Sequence, residues 1–428
     1  MEEIEKRKLI GERLCENFSG PLLFYFVWWI LSESCRRGFQ TIYFLARDGY
    51  LLCRMAEMFC AKYSLPIQCR YFYCSRASLR MPSYHLIGEE MYDLLLIDSY
   101  RMTIRSMLER AELNESERKL VYEECGFSRE NDQTILSRQE VDTVRAALKK
   151  SSAFRELIIQ KSKNAYANAI GYIRQEGMLT NQHVVLVDSG WSGSMQRSLR
   201  QLLQSAGYEG SLTGFYFGMF TPSKAPEDGE YLTWYFNAGG RTWDKILFNN
   251  NLFECLLSAP HGMTTGYVCR EGVYEPVIQK KPGGNIVSDF TIKAQIEDVL
   301  NYTDLHLKTN DFSSFSYRQA IRRTRKLIYR YMAHPKKDEA NFFGSISFCD
   351  DITNAYPMSL ADEEQCNAVK NYLILPRIFR KLFHRPLKKP CLELFWPYGT
   401  IAFFSWPKQI WYRWNVYVWE WLRYMIKK

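Results

Sequence analysis

Four apolar residues, Val184-Val185-Leu186-Val187, run without a spacer into Asp188-Ser189-Gly190-Trp191-Ser192-Gly193-Ser194, and a helical pattern over Met195–Leu203 begins at once. A continuous apolar run lacks the alternation of a half-exposed strand, so it reads as a strand covered on both faces, as in a parallel sheet between helices. The same order occurs earlier: Thr41–Leu45 is a short apolar run, Ala46-Arg47-Asp48-Gly49 is polar, and Tyr50–Tyr63 is apolar at helical spacing. Cys69–Cys74 and Leu212–Phe220 are further strand candidates. Strands alternating with helices predict an α/β fold on a parallel sheet, with ligands at the carboxyl ends of the strands. Both polar loops fall at that edge.

The 428 residues are 46% hydrophobic, which excludes a disordered chain and suggests two or three domains. Residues 1–38 read as helices, with a break at Ser19-Gly20-Pro21 and a stop at Gly38. Residues 39–222 form the α/β core, with a charged helical insertion at about 86–180. Residues 223–390 are mixed, with helical stretches at Asp244–Leu257, Ile292–Leu300, Tyr317–Met332 and Glu363–Leu382, and 391–428 form a tail. Twelve scattered cysteines without a C-x-x-C pair favour a reduced, cytoplasmic setting. The charged start has no secretory leader pattern. The longest apolar run, Pro21–Leu31, is eleven residues, where a bilayer span needs about 20, so no crossing is expected.

The loop Asp188–Ser194 suits a phosphate monoester. Small residues let successive N–H groups curl into a nest, and the next helix adds its positive end. Ser192 and Ser194 bring hydroxyls, and Asp188 can accept from sugar hydroxyls or help to hold Mg²⁺. An ordinary strand–turn–helix junction is the plainer alternative. In the earlier loop, Arg47 is a bidentate anion binder, Gly49 allows close backbone approach, and Asp48 can act as base or metal ligand. A third candidate is Phe248–Tyr267: Glu254 lies among Phe253, Cys255, Leu256 and Leu257, surroundings that favour a raised pKa, and His261 follows in a polar turn. Nucleotide-binding glycine motifs and zinc-ligand spacings are lacking.

A net charge of +9 suggests anionic partners, and 15% aromatic residues suggest stacking surfaces or an interfacial belt. Six of eleven tryptophans fall in the last 33 residues, after the basic stretch Arg377, Arg380, Lys381, Arg385, Lys388 and Lys389. On a helical wheel, Gln409, Arg413, Glu420, Arg423 and Lys427 make a narrow polar stripe opposite Trp411, Trp414, Val418, Trp421, Leu422 and Met425. This describes an in-plane interfacial helix, with packing on the protein itself as the alternative. The dispersed cations match no nucleic-acid reader.

The segments FLARDGYLL (44–52), YCSRASLR (73–80), VVLVDSGWSGSMQ (184–196) and FECLLSAPHG (253–262) resemble a group of bacterial polysaccharide-cluster proteins, phosphoribosyltransferase-like glycosyltransferases often found beside haloacid-dehalogenase-type phosphatases. The likeness covers about 40–265. It implies a type I phosphoribosyltransferase-like sheet with a helical insertion and a mostly helical C-terminal region. The implied activity is transfer of 5-phospho-β-ribofuranose from phosphoribosyl pyrophosphate to a sugar hydroxyl of an O-antigen or capsule intermediate, with inversion and pyrophosphate release. A separate phosphatase then removes the 5-phosphate. The resemblance implies that Ser192, Gly193 and Ser194 anchor the 5-phosphate, while Arg47 and Arg76 neutralise the leaving group. Asp48 and Asp188 would hold Mg²⁺, and Asp48, Asp188 and Glu254 are the candidate bases. Gly49, Tyr50, Ser75, Ser189, Gly190, Trp191 and His261 complete the expected binding set. The expected acceptor is lipid-linked, with the enzyme peripheral at the inner face of the plasma membrane. Ser189 stands where the family pattern has a second acidic residue, and the loop is shorter. The alternatives are a haloacid-dehalogenase-like phosphohydrolase, disfavoured because Ala46 occupies the nucleophile position, and a non-catalytic phosphosugar-binding scaffold.

Overall fold

The computed structural model describes residues 2–97, 102–221, 225–280, 286–348, 358–374 and 394–426. The chain is α/β, with five all-parallel strands in the order β2-β1-β3-β4-β5 and flanking helices. The strands are β1 Thr41–Leu45, β2 Gln68–Phe72, β3 His183–Trp191, β4 Ser211–Met219 and β5 Glu230–Phe236. From β1 the chain crosses to β2 on one side, then returns to place β3 on the other. The strand order therefore reverses between β1 and β3, where loops diverge and leave a crevice at the carboxyl ends. Tyr43 lies opposite Leu186 and Phe44 opposite Val187, so the β1 loop and the end of β3 meet there.

Helices Gly20–Arg37 and Gly49–Tyr63 cover one face of the sheet, burying Leu22, Phe26, Ile30, Leu52 and Phe59 against Val185, Phe215 and Phe217. Each such side chain contributes about 1.5–3 kcal/mol when fully buried. Helices Ser152–Gln175 and Ser194–Ser205 cover the other face through Ile173, Leu199 and Leu203. The helical insertion closes its own core around Met107, Val121, Leu148 and Phe154.

The expected break at Ser19-Gly20-Pro21 is absent. Helix Glu2–Leu14 continues through a π turn, Cys15–Ser19, into Gly20–Arg37, which ends at left-handed Gly38 as expected. The widened turn accommodates Pro21, which has no N–H to give. Gly20 is needed because a Cβ there would meet the Tyr302 ring at 2.7 Å. The resulting Glu5–Arg37 helix, with a window of mean hydropathy 1.2, is long and apolar enough to cross a membrane; 78% of that window is buried inside the protein.

Strand β3 runs through Trp191, so Asp188–Trp191 belong to the strand rather than to a loop. Strand β5 and the antiparallel hairpin of β6 Thr264–Arg270 and β7 Val273–Ile278 were not foreseen. Within 363–382 the structure has a 3-10 segment, Glu364–Tyr372, and the basic stretch Arg377–Lys389 lies outside the described residues. The ten described cysteines are all free.

Candidate functional site

Asp48 precedes the Gly49–Tyr63 helix and Asp188 sits near the end of β3, both at the crevice where the strand order reverses. Both residues are half-buried. Desolvation raises Asp48, opposed by a hydrogen bond from the Ser189 hydroxyl and by the Arg47 and Arg76 charges. Desolvation also raises Asp188, to about 8, reinforced by Asp48 and Glu254 and opposed by Arg76. Two carboxylates and two arginines, predicted from separate segments, thus share one electrostatic neighbourhood. The peptide bond Ala46–Arg47 is cis.

The backbone after Asp188 is unusual. Gly190 has φ +127°, Trp191 +77° and Gly193 +67°. For tryptophan this costs roughly 1–3 kcal/mol and needs surrounding support. The support is present: Trp191 Nε1 donates to Glu254 Oε1 at 2.6 Å, and its carbonyl accepts from Phe220 and Thr221 N–H at 2.8 and 3.1 Å. Glu254 is therefore fixed against the strand end. Gly193 caps the Ser194–Ser205 helix, where a Cβ would meet the Tyr231 ring at 2.3 Å. The small-residue loop reduces to exposed Ser192 and buried Gly193, directly before the N-terminus of a 12-residue helix. The turn is therefore shorter than the expected seven-residue loop, with the helix N-terminus directly after it.

Other expected residues have different duties. The Ser75 hydroxyl caps Arg76–Arg80, accepting from Ser78 N–H, and donates to the Thr264 carbonyl at 2.6 Å, so it is occupied within the fold. Gly49 makes room for its own strand, since a Cβ would lie 2.6 Å from the Phe44 carbonyl carbon. His261 stands beside Tyr50, Tyr71 and Tyr73. Its Nδ1 donates to the Gly262 carbonyl at 2.8 Å, which leaves Nε2 to accept from the Tyr71 hydroxyl at 2.7 Å. This aromatic wall beside the β1 loop offers a stacking surface.

Sequence reasoning missed Arg80. It is 4% exposed and donates from Nη2 to Ser194 Oγ at 3.2 Å, at the mouth of the helix cradle. Among the described residues its Nε has no partner and it pairs with no carboxylate. Burial, with Arg76 and Arg110 nearby, lowers its pKa to about 10. The signal was legible only as the i, i+4 spacing of Arg76 and Arg80. A buried cation without a counter-ion is costly, so Arg80→Met is expected to leave thermal stability unchanged or raised. The same variant is expected to weaken binding of a phosphomonoester about tenfold in calorimetry. A lower melting temperature with unchanged binding would make Arg80 structural.

Among the described residues no group of three or more His, Cys, Asp or Glu is arranged to hold a metal. The Asp48 and Asp188 pair nevertheless suits Mg²⁺, which commonly takes one or two carboxylates plus substrate phosphates, and the Asp48 charge is among the causes that raise Asp188. No protein-family model matches this chain, and no curated protein is similar enough to count as a relative.

Proposed function

We propose that the chain is a glycosyltransferase that moves a 5-phosphoribosyl group from phosphoribosyl pyrophosphate to a sugar hydroxyl of a surface-polysaccharide intermediate. The observation that carries this reading is the convergence of Asp48 and Asp188 beside a helix N-terminus backed by buried Arg80. Ser192, Gly193 and Ser194 receive the 5-phosphate, with Arg80 aligning the Ser194 hydroxyl. Binding this remote group orients C1. Exposed Arg47 and Arg76 face the pyrophosphate, whose negative charge grows as the C1–O bond breaks. The acceptor oxygen forms the new bond to C1 from the opposite face and releases its proton to Asp188, whose raised pKa lies near neutral pH. Glu254, held by Trp191, orders that side. Mg²⁺ held by Asp48 would supply charge neutralisation to the diphosphate.

The test is calorimetry with phosphoribosyl pyrophosphate, with and without Mg²⁺. Saturable binding, weakened about tenfold or more in both Arg47→Ala and Asp188→Ala, is expected. No binding under either condition overturns the transferase reading.

The tail supports a membrane setting. In the Trp406–Ile426 helix, Asn415 and Val416 are buried against the protein, and Gln409 and Arg413 donate to the Ala402 and Pro335 carbonyls. Gln409 and Arg413 of the polar stripe thus turn inward while Arg423 stays exposed, and Trp411, Trp414, Trp421 and Met425 face outward at 42–53% exposure. Such a stripe suits the headgroup region of a bilayer. Flotation with phosphatidylglycerol vesicles should carry the protein upward, and the combined variant Trp411→Ala/Trp414→Ala/Trp421→Ala should remain at the bottom. Equal flotation of both would remove the tail from membrane binding.

A further inference from the structure

A second cationic site lies away from the carboxylate crevice. A groove of about 630 Å³ opens between Trp234 of β5 and the Tyr317–Leu327 helix. Four of its lining residues are arginine and none is acidic. Arg325 is fixed by Asp244, which accepts from Nε at 3.1 Å and from Nη2 at 3.0 Å. Arg241, Arg318 and Arg322 are exposed, and their guanidinium groups form no hydrogen bond or ion pair among the described residues. Positions 318, 322 and 325 share one helical face, so their guanidinium groups gather over the groove. Trp234, 2% exposed, lines the same groove, and its indole N–H meets no acceptor among the described residues. Tyr317 packs edge-on against it, with ring centroids 5.3 Å apart.

Three unneutralised guanidinium forks beside an unmet N–H donor call for an anion with several oxygens. We propose that this groove binds a diphosphate group and, resting on the transferase reading above, that it holds the diphosphate of a membrane-anchored acceptor. Its rim points to the anchor. Arg241 leads into the Thr242–Ile246 helix, whose exposed Trp243 packs against Tyr417 of the tail helix at 6.2 Å, and Lys245 lies 6.0 Å from the Tyr424 ring. The cationic groove and the tail helix that carries the tryptophan stripe are therefore neighbours. Strand β5 is two strands from β3, about 10 Å across the sheet, so the groove and Asp188 lie on the same sheet.

The experiment titrates inorganic pyrophosphate into the full chain. Two sites are expected. Arg318→Ala/Arg322→Ala should weaken one by about tenfold or more and leave phosphoribosyl pyrophosphate binding unchanged, while Arg47→Ala should weaken the other. Pyrophosphate binding by the double variant that matches the wild type overturns the groove. If the groove site persists while phosphoribosyl pyrophosphate fails to bind, the groove stands and the transferase reading falls. A competition arm adds phosphatidylcholine vesicles carrying farnesyl diphosphate. Displacement of pyrophosphate from the groove by these vesicles, and not by plain ones, supports the anchored source. Displacement by free diphosphate alone overturns that part. Unchanged thermal unfolding checks that the exposed substitutions leave the fold intact.

Discussion

Asp188→Asn is expected to reduce transfer about 10²–10⁴-fold, the usual contribution of a positioned base, while making the protein more resistant to heat at alkaline pH. The two effects share one origin. Desolvation and the charge of Asp48 raise the Asp188 carboxyl to about 8, far above the roughly 3.9 of an unfolded chain. The folded protein therefore holds this proton more tightly than the unfolded chain does. That stabilisation is complete below about pH 4 and is lost as pH rises through about 8. Asparagine cannot ionise, so the variant escapes the loss. Thermal unfolding at pH 5 and pH 9 should show the variant gaining on the wild type only at the higher value. A constant difference would mean that the carboxyl is not desolvated.

Gly190→Ala is expected to cost about 2–4 kcal/mol and to remove donor binding along with stability. Gly190 has φ +127°, and a Cβ would lie 2.1 Å from the Gly218 carbonyl oxygen, opposite it in the β3–β4 ladder. Two backbones cannot yield as a flexible side chain can, so the strand end that carries Trp191 and the cradle must shift. Gly266→Ala, where a Cβ meets nothing within 4 Å, is the control and should be nearly neutral. Chemical denaturation of both variants measures the difference. Equal midpoints would show that the strand end relaxes freely.

The central strands were legible because continuous apolar runs such as Val184–Val187 have only one comfortable place, a sheet buried on both faces. Asp48 and Asp188 were legible for the same reason, since each follows such a run at its carboxyl end. Strand β5 was hidden because Glu230–Thr233 is exposed or half-exposed at the sheet edge, and the β6–β7 hairpin because most of its residues are half-exposed or exposed. The Ser19-Gly20-Pro21 signal for a break is local, whereas the fit of Gly20 against Tyr302 joins positions far apart in sequence. Arg80 and Ser75 were obscured in the same way, by partners at Ser194 and Thr264. Periodicity reports which face of an element is covered; it cannot report which hydroxyl a distant segment consumes.

The long Glu5–Arg37 helix also sets a problem of timing. Its apolar side is covered by residues such as Phe217, Trp234 and Phe315, which leave the ribosome some 180 or more residues later. At about 5–20 residues per second, the segment waits on the order of ten seconds or longer before its shelter is synthesised. During that interval it presents to the targeting machinery the length and hydropathy of a membrane anchor. Until those residues are made, the faces of Phe26, Trp28 and Trp29 that they cover lack that cover.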